Sequence, residues 1–444
     1  MSTPAVPTPA ANGAAAVPDV VPESDLELKH ALHRKLLERI NLDRLAEIDA
    51  PRVRREVRNA LAALVDENEF GLPEGHRNEL IDQVLNEVFG LGPLEPLMQD
   101  PTVSDILVTT PDLVYVERAG KLIKTQVKFK DNAHLQRIIQ KIVSHAGRRI
   151  DESSPMVDAR LPDGSRVNAV IAPVAVDGPL LSIRRFSKDP LLKEDLVAMK
   201  TLTEPMMSLL AACVRARLNV LIAGGTGSGK TTMLNILSSC IPSDERIVTI
   251  EDTAELQLRQ EHVARMETRL PNLEGEGAID QRRLLVNSLR MRPDRIILGE
   301  VRGEEAMDML QAMNTGHDGS LATIHANSGQ DAVNRLELMV GLANSNISVA
   351  SIRKHIAAAI QVFVQLERLS DGTRKVTQIS ESRGLKDGEV EIQELFVFEK
   401  LGVAPSGKVE GRFRGLGVKP RFLDRLRRSN QRISEEEFDS VDEV

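Results

Sequence analysis

Gly224-Gly-Thr-Gly-Ser-Gly-Lys230-Thr231 is the stretch that decides how this chain folds. It fits G-x-x-x-x-G-K-[ST] without a mismatch. Average composition yields that pattern by accident in a chain of this length only about one or two times in a hundred. Its flanks suit it as well. Leu218-Asn-Val-Leu-Ile-Ala223 reads as a buried strand, and Thr231 to Ile241 carries Leu234, Leu237 and Ile241 on one helical face. A strand, a glycine-rich loop and a helix let backbone N–H groups curl around phosphates, and the helix N-terminus adds a favourable dipole. Gly224, Gly225, Thr226, Gly227, Ser228, Gly229, Lys230, Thr231 and Thr232 are therefore candidate nucleotide ligands. In this pattern Lys230 reaches the terminal phosphates and Thr231 holds Mg²⁺.

Composition narrows the class. At 444 residues, two or three domains are expected. No apolar run approaches the roughly 18–20 residues that span a bilayer, and no basic segment with an apolar core opens the chain. Cys213 and Cys240 form no CxxC pair, so a cysteine-based zinc site is excluded. A net charge of −8 and 2% aromatics argue against direct nucleic-acid binding, which needs basic surface and stacking platforms.

Organisation follows from pattern changes along the chain. Residues 1–23 are rich in Ala and Pro and read as a disordered tail. Residues 24–98 read as a helical bundle. Ser24-x-x-Glu27 makes a capping box ahead of Leu28, Leu32, Leu36 and Ile40, and two further helical patterns follow near 51–66 and 74–89. Residues 99–186 read as a small α+β domain, with short strands, a helix over Asn132 to Ala146 and a hairpin turning at Pro162-Asp-Gly-Ser165. Residues 187–200 read as a linker. From 201 to 400 strands and helices alternate, which predicts an α/β domain with a parallel sheet covered by helices. Antiparallel strands are expected over 360–398. Residues 401–444 are expected to be a weakly structured extension.

In open parallel sheets, ligands bind at the carboxyl ends of the strands. Ile247-Val-Thr-Ile250 runs into Glu251-Asp252, with Glu255 close behind. Arg295-Ile-Ile-Leu298 runs into Gly299-Glu300, and Ser320-Leu-Ala-Thr-Ile324 runs into His325. Hydrolysis of a terminal phosphate needs oxygen ligands for a metal, an oriented water and positive charge. Glu300 suits the metal, Glu251 the water, and His325 the terminal phosphate. Glu255 reads equally as a surface charge. His317 reads either as a nucleotide contact or as a brace for the loop before the His325 strand.

These stretches resemble the secretion ATPase superfamily of type II secretion, type IV pili and type IV secretion. Its four boxes occur in order: the phosphate loop, Thr249-Ile-Glu-Asp-Thr-Ala-Glu255, Leu289-Arg-Met-Arg-Pro-Asp-Arg-Ile-Ile-Leu-Gly-Glu300, and Thr315-Gly-His-Asp-Gly-Ser-Leu-Ala-Thr-Ile-His-Ala-Asn327. Val157-Asp-Ala-Arg-Leu-Pro-Asp-Gly-Ser-Arg-Val-Asn168 and Leu181-Ser-Ile-Arg-Arg-Phe186 are similar to the family's PAS-like N-terminal domain. The resemblance spans roughly residues 90–400. It implies a RecA-like domain, ATP and Mg²⁺ as cofactors, and a homohexamer with each nucleotide between the two domains. It also implies that Arg160, Arg166, Arg184 and Arg185 reach the phosphates. Gly299-Glu-Val-Arg-Gly303 carries glycine where pilus retraction motors usually carry aspartate, and the tetracysteine zinc element of some assembly motors is missing. Met309 to Ser320 is similar to the CpaF/TadA group, motors of tight-adherence pili. The implied partners are inner-membrane platform proteins, which would hold the chain at the cytoplasmic face. A secretion motor for another substrate, a nucleic-acid translocase and a scaffold that binds ATP without turnover are the rival readings. A GTPase is disfavoured because no Asn-Lys-x-Asp motif occurs.

Overall fold

The computed structural model describes residues 32, 35, 36, 50–67, 73–118, 120–186, 191–269, 271, 275–343 and 346–443. The Pro-rich tail and the Ser24–Glu27 capping box lie outside the described residues. Two compact units result, residues 1–186 and 187–444.

The first unit begins with helices α1 (Ala50–Glu67) and α2 (Glu74–Phe89). Val57, Leu61 and Leu64 of α1 pack against Ile81, Val84 and Leu85 of α2, and Leu32 and Leu36 complete that core. A six-stranded antiparallel sheet follows, in the order β3-β2-β1-β6-β5-β4. Its strands are β1 (Val103–Thr110), β2 (Leu113–Arg118), β3 (Lys121–Lys124), β4 (Met156–Arg160), β5 (Arg166–Val170) and β6 (Leu180–Arg184). Helix α3 (Asn132–His145), capped by the Asp131 side chain, lays Leu135, Ile138, Ile139 and Ile142 on one face of that sheet. Two buried polar contacts tie α2 to α3. Glu87 meets the His134 ring at 2.9 Å, and the Lys141 ammonium donates to the Val88 and Gly90 carbonyls, each at 2.7 Å, where α2 ends.

The second unit is a ten-stranded sheet. Six strands are parallel: β7 (Val220–Gly224), β8 (Ile247–Glu251), β9 (Val263–Glu267), β10 (Arg295–Val301), β11 (Leu321–Ile324) and β12 (Val362–Arg368). Their order, β12-β7-β11-β10-β8-β9, puts β7 between two strands that come later in the chain. The open edge beyond β12 extends antiparallel through β13 (Arg374–Lys386), β14 (Glu389–Val403), β15 (Val409–Gly415) and β16 (Val441–Glu443). Both faces are covered, so β7 is buried throughout. Val220 and Ile222 point into one core, Leu221 and Ala223 into the other, as strand alternation requires. The unit is a RecA-like α/β fold.

Three expectations change here. The stretch 187–200 is not all linker: helix α4 (Lys193–Ala198) inserts Leu196 into the core of the second unit. The first strand of the 360–398 region, β12, is parallel to β7, and only the strands after it are antiparallel. Residues 401–444 are not a loose extension. β14 crosses the expected boundary, and Phe413, Phe422, Leu426 and Phe438 lie in the same core as β7. Arginine- and glycine-rich sequence hid that core, because its apolar anchors, Leu423 among them, are few and set among charged and polar residues.

Candidate functional site

The carboxyl ends of β7, β8, β10 and β11 converge on one edge. At the end of β7 the chain enters the phosphate loop, with Gly227 at φ +69° and Gly229 at φ +98°, conformations that side chains resist. Helix α5 (Lys230–Ser238) starts directly from Gly229, and no side chain caps its N-terminus. Its first N–H groups are therefore available to an anion. Ser228 is buried and donates to the Gly225 carbonyl at 2.9 Å, which closes the loop from inside. The Lys230 ammonium folds back into the cradle and donates to the Gly224 and Gly225 carbonyls, both at 3.0 Å. Burial pulls its pKa below the ordinary lysine value, and Glu300 opposes that shift.

Glu300, near the end of β10, has its Oε1 3.8 Å from the Lys230 Nζ. Arg302 grips Glu300 through its Nε at 2.7 Å and reaches Asp252 with Nη1 at 3.0 Å, so it bridges the ends of β10 and β8. Glu251 closes β8 and is 3% exposed. Its carboxylate accepts the backbone N–H of Glu255 and of Leu256, which folds the following loop over it. Burial raises its pKa to about 7, and the backbone N–H bonds from Leu256 and Glu255 oppose the rise. Such a value suits a group that takes a proton near neutral pH. His325 is half-buried and leaves β11 one residue beyond Ile324, whose register partners are Ala223 on β7 and Val301 on β10. It therefore emerges between the phosphate loop and the Glu300 strand. Thr231 and Thr232 lie in the first turn of α5, half-buried.

His317 lies elsewhere. It precedes β11, so it belongs to the opposite edge of the sheet from the phosphate loop. There its carbonyl accepts from the Ser320 hydroxyl, and Asn219 holds the Gly319 and Ser320 N–H groups. The geometry favours the loop-bracing reading of His317 over contact with its own chain's phosphate loop, because a four-residue strand separates it from that edge.

In the first unit, Arg160, Arg166 and Arg184 are consecutive register partners across β4, β5 and β6, and so share one face of that sheet. Arg184 donates to Asp105 at 3.1 Å and Arg160 to the Gly164 carbonyl at 3.3 Å. Arg185 is not in this row. Its guanidinium is spent on the Asp100 and Val103 carbonyls, and it braces the start of β1 instead.

Sequence reading missed two sets of residues at the loop. Arg302 sits inside a quoted box, yet its bridging role depends on two strands being adjacent. Arg368 and Arg374 face each other across β12 and β13, and Arg374 donates to the Gly227 carbonyl at 2.9 Å from 147 positions away. No local signal announces that contact.

A family model described as Type II/IV secretion system protein matches residues 87–405. The chain belongs to the type II/IV secretion system protein family. Among its relatives, a putative conjugal transfer protein of Mycobacterium tuberculosis is 39% identical over 300 residues, 66% of this chain and 85% of that protein. The conjugal transfer protein TrbB of Rhizobium radiobacter is 32% identical over 67% of this chain and 88% of its own length. Among solved structures, the VirB11 ATPase of the Brucella suis type IV secretion system is 29% identical, covers 67% of this chain and 97% of its own, and has a TM-score of 0.36.

The residues of this family member fit a Mg²⁺-bound nucleoside triphosphate. The loop offers left-handed glycines, an uncapped helix N-terminus and a half-buried lysine. Among the described residues no group of three or more His, Cys, Asp and Glu side chains can hold a metal unaided. Thr231 at the start of α5 and Glu300 beside Lys230 are the oxygen ligands that stand at the loop, and Mg²⁺ takes one or two protein ligands with phosphate and water. No helix among the described residues is long and apolar enough to cross a membrane.

Proposed function

We propose that this chain hydrolyses ATP and works as a homohexameric motor. In this reading it drives assembly of a tight-adherence pilus through platform proteins of the inner membrane, from the cytoplasmic side. The carrying observation is the convergence of Lys230, Glu300 and the glycine cradle on one sheet edge, with Lys230 Nζ 3.8 Å from Glu300. Mg²⁺, when bound with ATP, neutralises phosphate charge and polarises the terminal phosphorus centre. Thr231 and Glu300 are the residues that would hold it. Glu251 orients and deprotonates the attacking water, and its raised pKa supports that role. Lys230 and His325 contact the terminal phosphates.

Arg160, Arg166 and Arg184 would supply the remaining positive charge. Like charges placed directly opposite each other across strands destabilise a sheet. Asp105, the next register partner of Arg184, offsets part of that repulsion. The resemblance of these stretches to the family's N-terminal domain is what supports a phosphate-facing row. The pilus assignment is supported by the Met309–Ser320 stretch and by the glycine at 303. A second reading, a motor serving conjugal transfer, is favoured by the names of the similar Mycobacterium and Rhizobium proteins.

The test is phosphate release by the purified chain with Mg²⁺ and ATP, together with its mass in solution. Cells carrying Lys230→Ala should lose surface pili. Cells that keep their pili but lose DNA transfer would favour the second reading instead.

A further inference from the structure

The hairpin joining β12 to β13 is bound into the phosphate loop. Arg374 Nε donates to the Gly227 carbonyl at 2.9 Å. Any side chain at Gly229 would start 3.4 Å from Arg374 Cδ, and one at Gly227 would start 3.4 Å from Arg368 Nη1. At Gly224 it would start 2.7 Å from the Leu366 carbonyl. Three of the loop glycines are thus packed directly against this hairpin.

A trans peptide points its C=O and the next N–H in opposite directions. Holding the Gly227 carbonyl outward on Arg374 therefore turns the Ser228 N–H inward. There it makes a long 3.4 Å contact to the Gly225 carbonyl, one that a phosphate oxygen can replace. The hairpin is itself anchored. Asp371 accepts from Thr373 N and Oγ1 at 2.9 and 2.7 Å, and its second oxygen accepts from Val409 N at 2.9 Å. Val409 opens β15, so the carboxyl-terminal strands reach the loop through Asp371 and Arg374.

We infer that Arg374, opposite Arg368 on the β12–β13 hairpin, is a positioning residue that sets the phosphate loop for nucleotide, and that Asp371 links this setting to the carboxyl-terminal strands. This inference rests on the nucleotide-site reading above.

The experiment measures ADP and tripolyphosphate affinity of the full chain by calorimetry, with thermal melting alongside. Arg374→Ala should weaken both ligands about tenfold, the size expected for losing a charge-assisted hydrogen bond, with the melting temperature held. Arg374→Lys should recover part of the affinity. Asp371→Ala should weaken both ligands in the same direction, and the double variant should fall short of the product of the two effects. Should Arg374→Ala not fold, Arg374→Gln serves, and it should weaken binding with normal melting. Wild-type affinity in whichever Arg374 variant folds overturns the inference. Lys230→Ala distinguishes the two failures. If that variant binds as wild type, the nucleotide site itself is misplaced. If it loses binding while the Arg374 variants keep theirs, only the hairpin inference fails.

Discussion

Gly299 leaves room for Glu251: a side chain at 299 would start 3.1 Å from the Glu251 Cγ. The two residues sit on β10 and β8, which are hydrogen-bonded neighbours. Gly299→Ala should therefore push the buried carboxylate off its two backbone donors. Overpacking of this kind costs about 1–3 kcal/mol. The expected outcome is a lower urea midpoint and slower phosphate release, both measurable on the purified variant. Unchanged release would mean that Glu251 has no exacting position to keep.

Glu251 makes activity and stability move oppositely with pH. Its folded pKa is raised from 4.5 to about 7. Between those values the folded state binds the extra proton, so stability falls as pH rises through that window. Above pH 7 the cost levels off at a few kcal/mol, on the order of 3 from a shift of this size. Glu251→Gln should thus be more stable than the wild type at pH 8 and nearly equal to it at pH 4.5, as read by melting at both values. If the ionised carboxylate takes the water's proton, wild-type turnover should climb tenfold per unit below pH 7 and flatten above it. Glu251→Gln should bind ATP and turn over very slowly across the range.

Lys230→Ala removes the one ammonium in the cradle and should lower phosphate release on the order of a hundredfold or more. Its partners are two loop carbonyls and Glu300, not core side chains, so the melting temperature should hold. Near-wild-type turnover would remove the phosphate loop from the mechanism.

Truncation after Lys400 should unfold the second unit. It deletes Phe413, Leu426 and Phe438, all 2% exposed or less, and strips β15 from β14. Loss of one large buried aromatic alone costs about 3–5 kcal/mol, a large part of a domain's stability. Phe438→Ala, a milder change, should lower the unfolding free energy by that amount, read as a lower urea midpoint at unchanged slope. A soluble, cooperatively melting 1–400 chain would show the carboxyl-terminal strands to be dispensable.

A chain beginning at Ser187 keeps α4, whose Leu196 belongs to the core of the second unit, and should fold. It should retain nucleotide affinity through the loop and the α5 N-terminus. It lacks Arg160, Arg166 and Arg184, so hydrolysis should fall far more than binding, by about 10³-fold or more if those arginines stabilise the transferring phosphoryl group. Single Arg166→Ala in the full chain should lower turnover with little change in melting. Full-rate hydrolysis by the shortened chain would leave the first unit a docking module.

The sequence determined what is local. A phosphate loop is eight consecutive residues, and its backbone geometry is set by glycines at fixed offsets, so Gly224 to Thr231 could be read directly. The carboxylates at 251 and 300 were legible because each ends an apolar run. The alternation of strands and helices likewise announced the parallel sheet. Only the tertiary structure decided what depends on which strands are neighbours. It put His317 and His325 at opposite ends of β11 and turned Arg185 away from the row that Arg184 joins. It brought Arg374 to Gly227 across 147 positions. It also made a core strand layer of a tail that composition alone showed as loose, because burial there comes from a few distant aromatics meeting one sheet. Hydrogen-bond reach is about 3 Å in space and indifferent to separation in sequence. Contacts of that kind exist only once the strand order is set.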